Sequence, residues 1–286
     1  MLKRLEVKNF TVFEKLMIDF SGGIDIFIGE NATGKTHLLK ILYACCNKEN
    51  NDGKAFASFF SSSGWASLKR NNSKNGAVIR LLDEKHNEIA SIDGNTSIQK
   101  MIFSNKRIKS ILIPAKEMLS HSKGLLALDR ERDIPFDKTL IDIVSKAELG
   151  ESKILTEFQQ SVLSTISKVI EGEVIYENDV FYVKKDNGLK IEFSMEAEGL
   201  RKFGLVWKLI RNGLLDKDSV YSGMNQKQTL TPNSYLTLST LFWSSIAKEF
   251  RFLWLPTITI WRSILKYIVN KKIRYCITAL SKRNTV

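Results

Sequence analysis

The sequence predicts an α/β fold in which a central sheet carries an antiparallel β lobe and a helical subdomain. Three observations support this prediction. A glycine-containing loop at residues 29–36 stands between an apolar, β-branched run and a segment with helical spacing. Short apolar or alternating runs, typical of strands, recur on both sides of this unit. Further along, residues 136–147 and 154–170 place apolar side chains three and four positions apart, which indicates amphipathic helices.

The glycine loop fits the phosphate-binding P-loop (Walker A) pattern G-x-x-x-x-G-K-[ST], with a predicted strand before it and a predicted helix after it. In such a unit the backbone N–H groups of the loop and the positive end of the helix dipole converge on phosphate groups. Lys35 would reach the outer phosphates, and the Thr36 hydroxyl would bind Mg²⁺. The predicted nucleotide-binding residues are Gly29, Glu30, Asn31, Ala32, Thr33, Gly34, Lys35, Thr36 and His37.

Length and cysteine content place the chain in a broad class. Its 286 residues correspond to one large domain or two modest ones. The three cysteines, two of them adjacent (Cys45 and Cys46), make no disulfide framework, and the first residues show no signal-peptide pattern. A cytoplasmic location is therefore expected. The three histidines are scattered and, with so few cysteines, give no metal-site spacing.

The net charge of +12 is concentrated in the last part of the chain. From Tyr221 onward there are ten basic residues and a single acid, Glu249, so this tail holds +9 of the total. Residues 1–220 hold only +3. A body this close to neutral gives no sign of a nucleic-acid surface.

Two predicted strands, residues 2–7 and 16–20, lead into the P-loop strand. With residues 29–31 and 34–36, this opening resembles that of bacterial ABC-type ATPases in the branch of the RecF, SMC and overcoming-lysogenization-defect proteins. The resemblance covers about residues 1–219. It implies a P-loop NTPase core sheet, Mg²⁺-ATP as ligand, and a head-to-tail homodimer that drives a nuclease or nucleic-acid-directed partner, as relatives in phage defence do. The family usually has Gly and Ser where this chain has Ala32 and Thr36.

The predicted organisation follows the order of the chain. A P-loop lobe (1–47) is followed by a β and loop insertion (48–107), a helical subdomain (114–172), and a β meander with a signature-like helix (173–219). Residues 48–74 are polar and are expected to form mobile surface around one packed aromatic segment. Residues 77–82 and 88–92 read as a hairpin. Asp83 and Glu84 at its turn imitate the end of a Walker B strand, but the hairpin position favours a turn.

Glu117, in the segment that follows the predicted strand 108–114, is the candidate for a Q-loop-like residue. Residues 115–120 are expected to open a helix, and a strand ending in Pro-x-Lys-Glu resembles the family segment that holds a Q-loop-like residue near the metal water. The alternative is a solvated carboxylate at a helix start, where the dipole favours it.

The signature motif of the family has a weaker counterpart in this chain. Residues 194–204 are small, acidic and glycine-containing, and they run into a helical segment. Glu198, Gly199, Leu200 and Arg201 look like a degenerate signature motif, which in the family places a helix N-terminus on the γ-phosphate bound by the opposite subunit. The alternative is an ordinary capped helix.

The family pattern breaks after this helix, because no Walker B Asp-Glu or switch histidine follows. A shifted reading frame would supply both. In this frame each new codon combines the last base of one residue's codon with the first two bases of the next residue's codon. The codons of residues 220–227 can then encode aliphatic-Phe-Trp-Asp-Glu-Pro-Glu. The Glu that follows Asp is obligatory, since the last base of the Met224 codon and the first two bases of the Asn225 codon give GAA. Residues 254–259 can read Ala-Thr-His-Asp-Tyr. We therefore predict that residues 220–286 are an aberrant tail, read out of frame.

The competing interpretation of the tail is a membrane or partner-binding segment. Residues 235–247 and 252–261 are apolar and aromatic, but charged residues divide them, and neither approaches the roughly 20 residues of a spanning helix. No membrane association is therefore expected. Two function classes stay open: an ATPase that drives a partner, and a non-hydrolysing, truncated nucleotide-binding module. A Walker B glutamate would separate them, and this chain does not supply it.

Overall fold

The structure is a computed structural model that describes residues 2–47, 52–105, 108–132, 136–216, 219–224, 251–255 and 275–280. Over these residues the strands are β1 (Leu2–Phe10), β2 (Phe13–Asp19), β3 (Ile24–Gly29), β4 (Ala77–Asp83), β5 (Glu88–Gly94), β6 (Ile98–Phe103), β7 (Ser110–Ile113), β8 (Gly172–Glu177), β9 (Val180–Lys185), β10 (Lys190–Glu192), β11 (Val220–Met224), β12 (Arg251–Leu255) and β13 (Tyr275–Leu280). The α-helices are α1 (Lys35–Cys46), α2 (Gly53–Ser58), α3 (Leu125–Arg132), α4 (Lys138–Glu148), α5 (Glu157–Ile170) and α6 (Glu198–Arg211). The α/β class is confirmed.

An antiparallel sheet of five strands, in the order β2-β1-β4-β5-β6, forms the predicted β lobe. Along β1 the side chains alternate, so that Leu5 and Val7 are fully buried while Lys8 is exposed. The inner face belongs to the same hydrophobic cluster as Leu38 and Leu42 of α1. Because an alternating strand has one apolar face, the lobe covers the P-loop helix. The hairpin of β4 and β5 is confirmed, whereas β6 was not predicted.

A second sheet, in the order β13-β3-β12-β11-β7, is parallel throughout. Three of its strands come from the tail beyond residue 219, which we predict from the sequence to be aberrant. Extended, β-branched and aromatic segments can complete a sheet through backbone hydrogen bonds alone, and Val220 and Ser222 are buried there. The strand that follows α6, where the family has its Walker B strand, is β11, and β12 lies between it and β3. Residues 225–227, 235–247 and 256–261 lie outside the described residues.

The helical subdomain and the meander pack on the other side of β3. Helix α5 begins with a capping box, in which Thr156 and Gln159 bond each other's backbone N–H groups. Strands β8, β9 and β10 form the predicted meander. The meander, α4, α5 and α6 share a hydrophobic cluster whose members include Ile26 of β3 and Trp207 of α6. None of the helices in the described ranges combines the length and apolar character that a bilayer crossing needs.

One segment differs from the expectations. Residues 115–120 do not open an α-helix: they lead into a short 3-10 turn at Leu119–His121, and α3 begins only at Leu125. The Glu117 carboxylate accepts hydrogen bonds from the backbone N–H groups of Leu119 and Ser120, so it caps the start of this short turn. In the polar region 48–74 the packed aromatic segment is confirmed, because Phe56 and Phe59 are fully buried in the core of the β lobe.

Candidate nucleotide-binding site

The P-loop lies at the carboxyl edge of the parallel sheet. β3 ends at Gly29 and α1 begins at Lys35, so the loop is the whole connection between strand and helix. The strands that flank β3 run in the same direction, and the ends of β7, β11 and β12 therefore face the same edge. This is the edge at which open parallel sheets bind their ligands.

Two glycines allow the loop to touch its neighbours closely. A Cβ on Gly29 would lie 2.4 Å from the carbonyl oxygen of Leu280 in β13 and 2.8 Å from the Thr33 hydroxyl. Gly34 has φ +85°, and a Cβ there would lie 2.5 Å from the Phe13 ring. The loop is therefore held between β13 and the beginning of β2, in a shape that side chains would prevent.

Ala32 has a left-handed backbone, with φ +66°. A residue with a Cβ is less stable in this region than glycine by about 1 kcal/mol. The family usually has glycine at this position, and the backbone conformation gives the physical reason. Ala32 retains the conformation at an energetic cost.

The Lys35 ammonium points back into the loop. It donates hydrogen bonds to the carbonyl oxygens of Gly29 at 2.8 Å and Glu30 at 2.5 Å, and burial lowers its pKa. Thr33 is buried and its hydroxyl donates to the Glu30 carbonyl at 2.9 Å, which fixes the turn. Thr36 is exposed, and no side chain caps the first turn of α1. The N–H groups of that turn therefore remain available to an anionic ligand.

A cleft of about 680 Å³ opens beside the loop, next to His37 on the first turn of α1. Its apolar side includes Val12, Phe60 and Leu68, and the Phe60 ring meets the His37 ring edge-on at 5.8 Å. The polar lining residues are Thr11, His37, Ser61, Ser62, Ser63, Ser67, Lys69, Arg70 and Asn71. Burial lowers the pKa of His37, and the Lys40 charge lowers it further.

Glu117 and Arg201 are brought together by the fold. Glu117 is only 8% exposed, so it is not the solvated carboxylate that the alternative interpretation expected. Its Oε2 accepts the Ser120 hydroxyl at 2.7 Å and lies 3.7 Å from Arg201 Nη1. The Q-loop-like segment after β7 is therefore in contact with the signature-like start of α6.

The signature-like residues occupy the first turn of α6, which begins at Glu198 with no side-chain cap. Gly199 is buried, and Arg201 and Lys202 each keep a buried nitrogen without a hydrogen-bond partner among the described residues. Burial lowers the pKa of Lys202, while the charges of Glu198 and Glu117 oppose that shift. Two cations, Arg201 and Lys202, therefore lie near the Glu117 carboxylate at this end of α6.

No acidic residue stands in β11, the strand that follows α6. Asp83 does not replace it, because its Oδ1 accepts the N–H groups of Lys85 at 2.8 Å and Asn87 at 2.9 Å in the hairpin turn. That turn belongs to the antiparallel sheet, and it holds the pKa of Asp83 below its usual value. The described residues also contain no cluster of three metal-ligating side chains. The hairpin interpretation of residues 83–84 is confirmed.

The sequence did not indicate the cleft or the contact of Gly29 with Leu280. The cleft residues come from the β1–β2 turn, from α1 and from a serine-rich stretch that read as mobile surface. Only the pattern of hydroxyl and basic residues at 61–71 could have suggested that these residues line a cleft. The same pattern is common in solvent-exposed loops.

The parallel sheet, the glycine loop at its carboxyl edge and the helix after it define a P-loop ATPase. Residues 1–206 match the family model of the AAA ATPase domain, and the chain belongs to that family. The resemblance to the RecF and SMC branch is confirmed.

Curated relatives match over a short stretch only. The DNA replication and repair protein RecF of Oenococcus oeni is 42% identical over 55 residues, which are 18% of this chain and 15% of the relative. The RecF protein of Pediococcus pentosaceus is 48% identical over 42 residues, 15% of this chain and 11% of the relative. The matched stretch therefore spans less than a fifth of these proteins.

A solved structure shows the same fold over most of the chain. The SMC head domain of Pyrococcus furiosus, solved with the C-terminal domain of ScpA, has a TM-score of 0.52 at 13% identity. The match covers 93% of this chain and 91% of that one. It supports the P-loop ATPase fold and nothing finer.

Proposed function

We propose that this chain binds Mg²⁺-ATP at residues 29–37. The observation that carries the proposal is the loop itself: a glycine turn that excludes side chains, an uncapped helix start, and a Lys35 ammonium whose hydrogen bonds within the described residues go to neutral carbonyls. These residues fit a triphosphate, because phosphate oxygens are stronger partners for the ammonium than carbonyls are. Thr36 would hold Mg²⁺, which neutralises the phosphates when bound.

Thermal unfolding tests the proposal directly. Mg²⁺-ATP should raise the melting temperature of the wild-type chain in a concentration-dependent manner. Lys35→Ala should remove most of that shift. Lys168→Ala, at an exposed lysine on the last turn of α5, is the matched control and should respond as wild type. An equal shift in the Lys35→Ala protein would contradict the proposal.

We infer that the cleft beside His37 receives the nucleoside. Its volume of about 680 Å³ is in the range of ligand pockets, and it combines apolar residues with hydroxyl groups and the cations Lys69 and Arg70. ADP should therefore bind more tightly than inorganic pyrophosphate, which would use the loop alone. Phe60→Ala should weaken ADP binding and leave pyrophosphate binding unchanged. Equal losses for both ligands would argue against this placement.

Hydrolysis by this chain is proposed to be negligible. The position after α6 has a strand, β11, but no carboxylate in residues 219–224 to orient and deprotonate water, a contribution of about 10² to 10⁴-fold. This favours the non-hydrolysing class for the chain as given. The shifted frame would place Asp and Glu at the end of β11 and His after β12, at the edge that carries the P-loop.

An assay of phosphate release from ATP compares the 286-residue chain with the frame-restored chain. The 286-residue chain should show no Lys35-dependent turnover, and a chain with the shifted frame restored from codon 220 should show it. The nucleotide sequence spanning codons 215 to 262 would decide the frame independently. Robust turnover by the 286-residue form would contradict the assignment.

In the frame-restored form we propose the head-to-tail homodimer that the resemblance implies, with a nuclease or nucleic-acid-directed partner. Support comes from the first turn of α6, where Glu198 is exposed and no side chain caps the helix, so that the N–H groups of this turn could face the nucleotide of the second copy. Sedimentation with Mg²⁺ and a non-hydrolysable ATP analogue should show a dimer that Arg201→Ala weakens. A monomer at all protein concentrations would contradict it.

A further inference from the structure

Helix α1, which begins with the P-loop lysine, is bonded to helix α4 through charged side chains. Lys40 is 6% exposed, and its ammonium lies 2.5 Å from Asp137 Oδ2 at the start of α4. One turn further along α1, the Tyr43 hydroxyl donates to Asp142 Oδ2 at 3.0 Å and accepts from Lys146 Nζ at 2.6 Å. Moving one helix past the other would leave buried charges without partners, which is costly.

Lys146 also lies at the junction of α4 with α6. The side-chain amide of Asn212, the C-cap residue of α6, donates to the carbonyl oxygens of Lys146 and Ala147, each at 3.0 Å. Asn212 is 8% exposed, so these bonds are shielded from water. Lys146 therefore holds α1 with its side chain and α6 with its main chain.

The end of α6 is fixed by further contacts from the α4–α5 connection. Arg211 Nη2 lies 2.8 Å from Glu151 Oε2, and the Gln159 side chain donates to the Leu215 carbonyl at 2.7 Å. The chain then enters β11 at Val220. Polar contacts thus join the P-loop helix, through α4, to the end of α6, and a separate bond joins α5 to the residues that precede β11.

We propose that Lys146 is a positioning residue that couples nucleotide occupancy of the P-loop to helix α6 and strand β11. The proposal rests on the proposed function, because it requires a nucleotide at residues 29–37. A phosphate that draws Lys35 and the first turn of α1 toward it would shift Tyr43, and Lys146 would carry the shift to Asn212. Contiguous contacts of this kind make coupling feasible, and only a response at the distant element demonstrates it.

Amide hydrogen exchange with and without Mg²⁺-ATP tests the coupling in the full chain. In wild type, nucleotide should slow exchange in the P-loop and also in α6. Lys146→Met should keep the slowed exchange in the P-loop but lose most of the response in α6. Since coupling between two sites is reciprocal, the nucleotide affinity of the Lys146→Met protein should fall by about fivefold. Lys146→Arg, which keeps a cationic donor, should restore the response in α6.

Lys168→Met, at the exposed lysine of α5, is the matched control and should behave as wild type in both regions. A full α6 response in Lys146→Met would overturn the coupling. A wild-type protein protected at the P-loop with no response in α6 would overturn it as well, while the proposed nucleotide site would stand. No protection at the P-loop in wild type would instead refute the nucleotide site, and the coupling with it.

Discussion

The carbonyl oxygen of Leu280 lies 2.4 Å from the position that a Cβ on Gly29 would occupy. β13 and the P-loop strand therefore meet at a point where no side chain fits. Gly29→Ala should lower the free energy of unfolding by about 1–3 kcal/mol, because the backbone of one strand must move. Urea unfolding measures the change. Gly150→Ala is the control, since a Cβ there meets no atom within 4 Å, and equal losses in both variants would contradict the assignment.

Ala32→Gly should stabilise the protein. The backbone at Ala32 is left-handed, and removing the Cβ relieves that conformation by about 1 kcal/mol. The melting temperature should rise by a few degrees in calorimetry. Ala127→Gly, at an exposed position inside α3, should lower it instead, because glycine is a poor helix former. The idea fails if both substitutions change stability in the same direction.

The two partners of the Lys40–Asp137 pair should respond unequally to substitution. Asp137→Asn retains the cap of α4 but leaves the buried Lys40 charge without its counter-ion, at a cost of about 3–5 kcal/mol. Lys40→Met should cost less, because the Asp137 side chain is 28% exposed and partly solvated. Chemical denaturation of both variants gives the comparison, and a larger loss for Lys40→Met would contradict it.

His37 should make stability fall in mild acid. Burial and the charge of Lys40 lower the pKa of His37 in the folded state below its usual value of 6.5. The unfolded chain therefore binds the proton more readily, so the stability is fully present above pH 6.5 and is lost as the pH falls below it.

Melting temperatures measured between about pH 7 and pH 5 should show that slope in wild type and a shallower one in His37→Gln. His86→Gln, at an exposed histidine of the hairpin turn, should retain the wild-type slope. A wild-type slope in the His37→Gln protein would assign the effect to other groups.

Local patterns predicted most of the elements correctly. The β lobe, the β4–β5 hairpin, the meander and helices α4 and α5 follow from periodicity and turn residues that lie close together in the sequence. The α-helix predicted to open at residues 115–120 is wrong: the Glu117 carboxylate bonds the backbone N–H groups of Leu119 and Ser120, and only a short 3-10 turn forms there. Short-range competition of this kind has no periodic signature.

Local sequence was enough to place the P-loop. Strand, glycine turn, lysine and helix are consecutive residues, so their relative geometry is set locally. Only the tertiary structure placed β12 between β3 and β11, brought Arg201 to Glu117, and pressed Leu280 against Gly29. These contacts join residues far apart in the chain. They arise from the order in which strands pair and helices cover them, and an amino-acid pattern read along the chain does not contain that order.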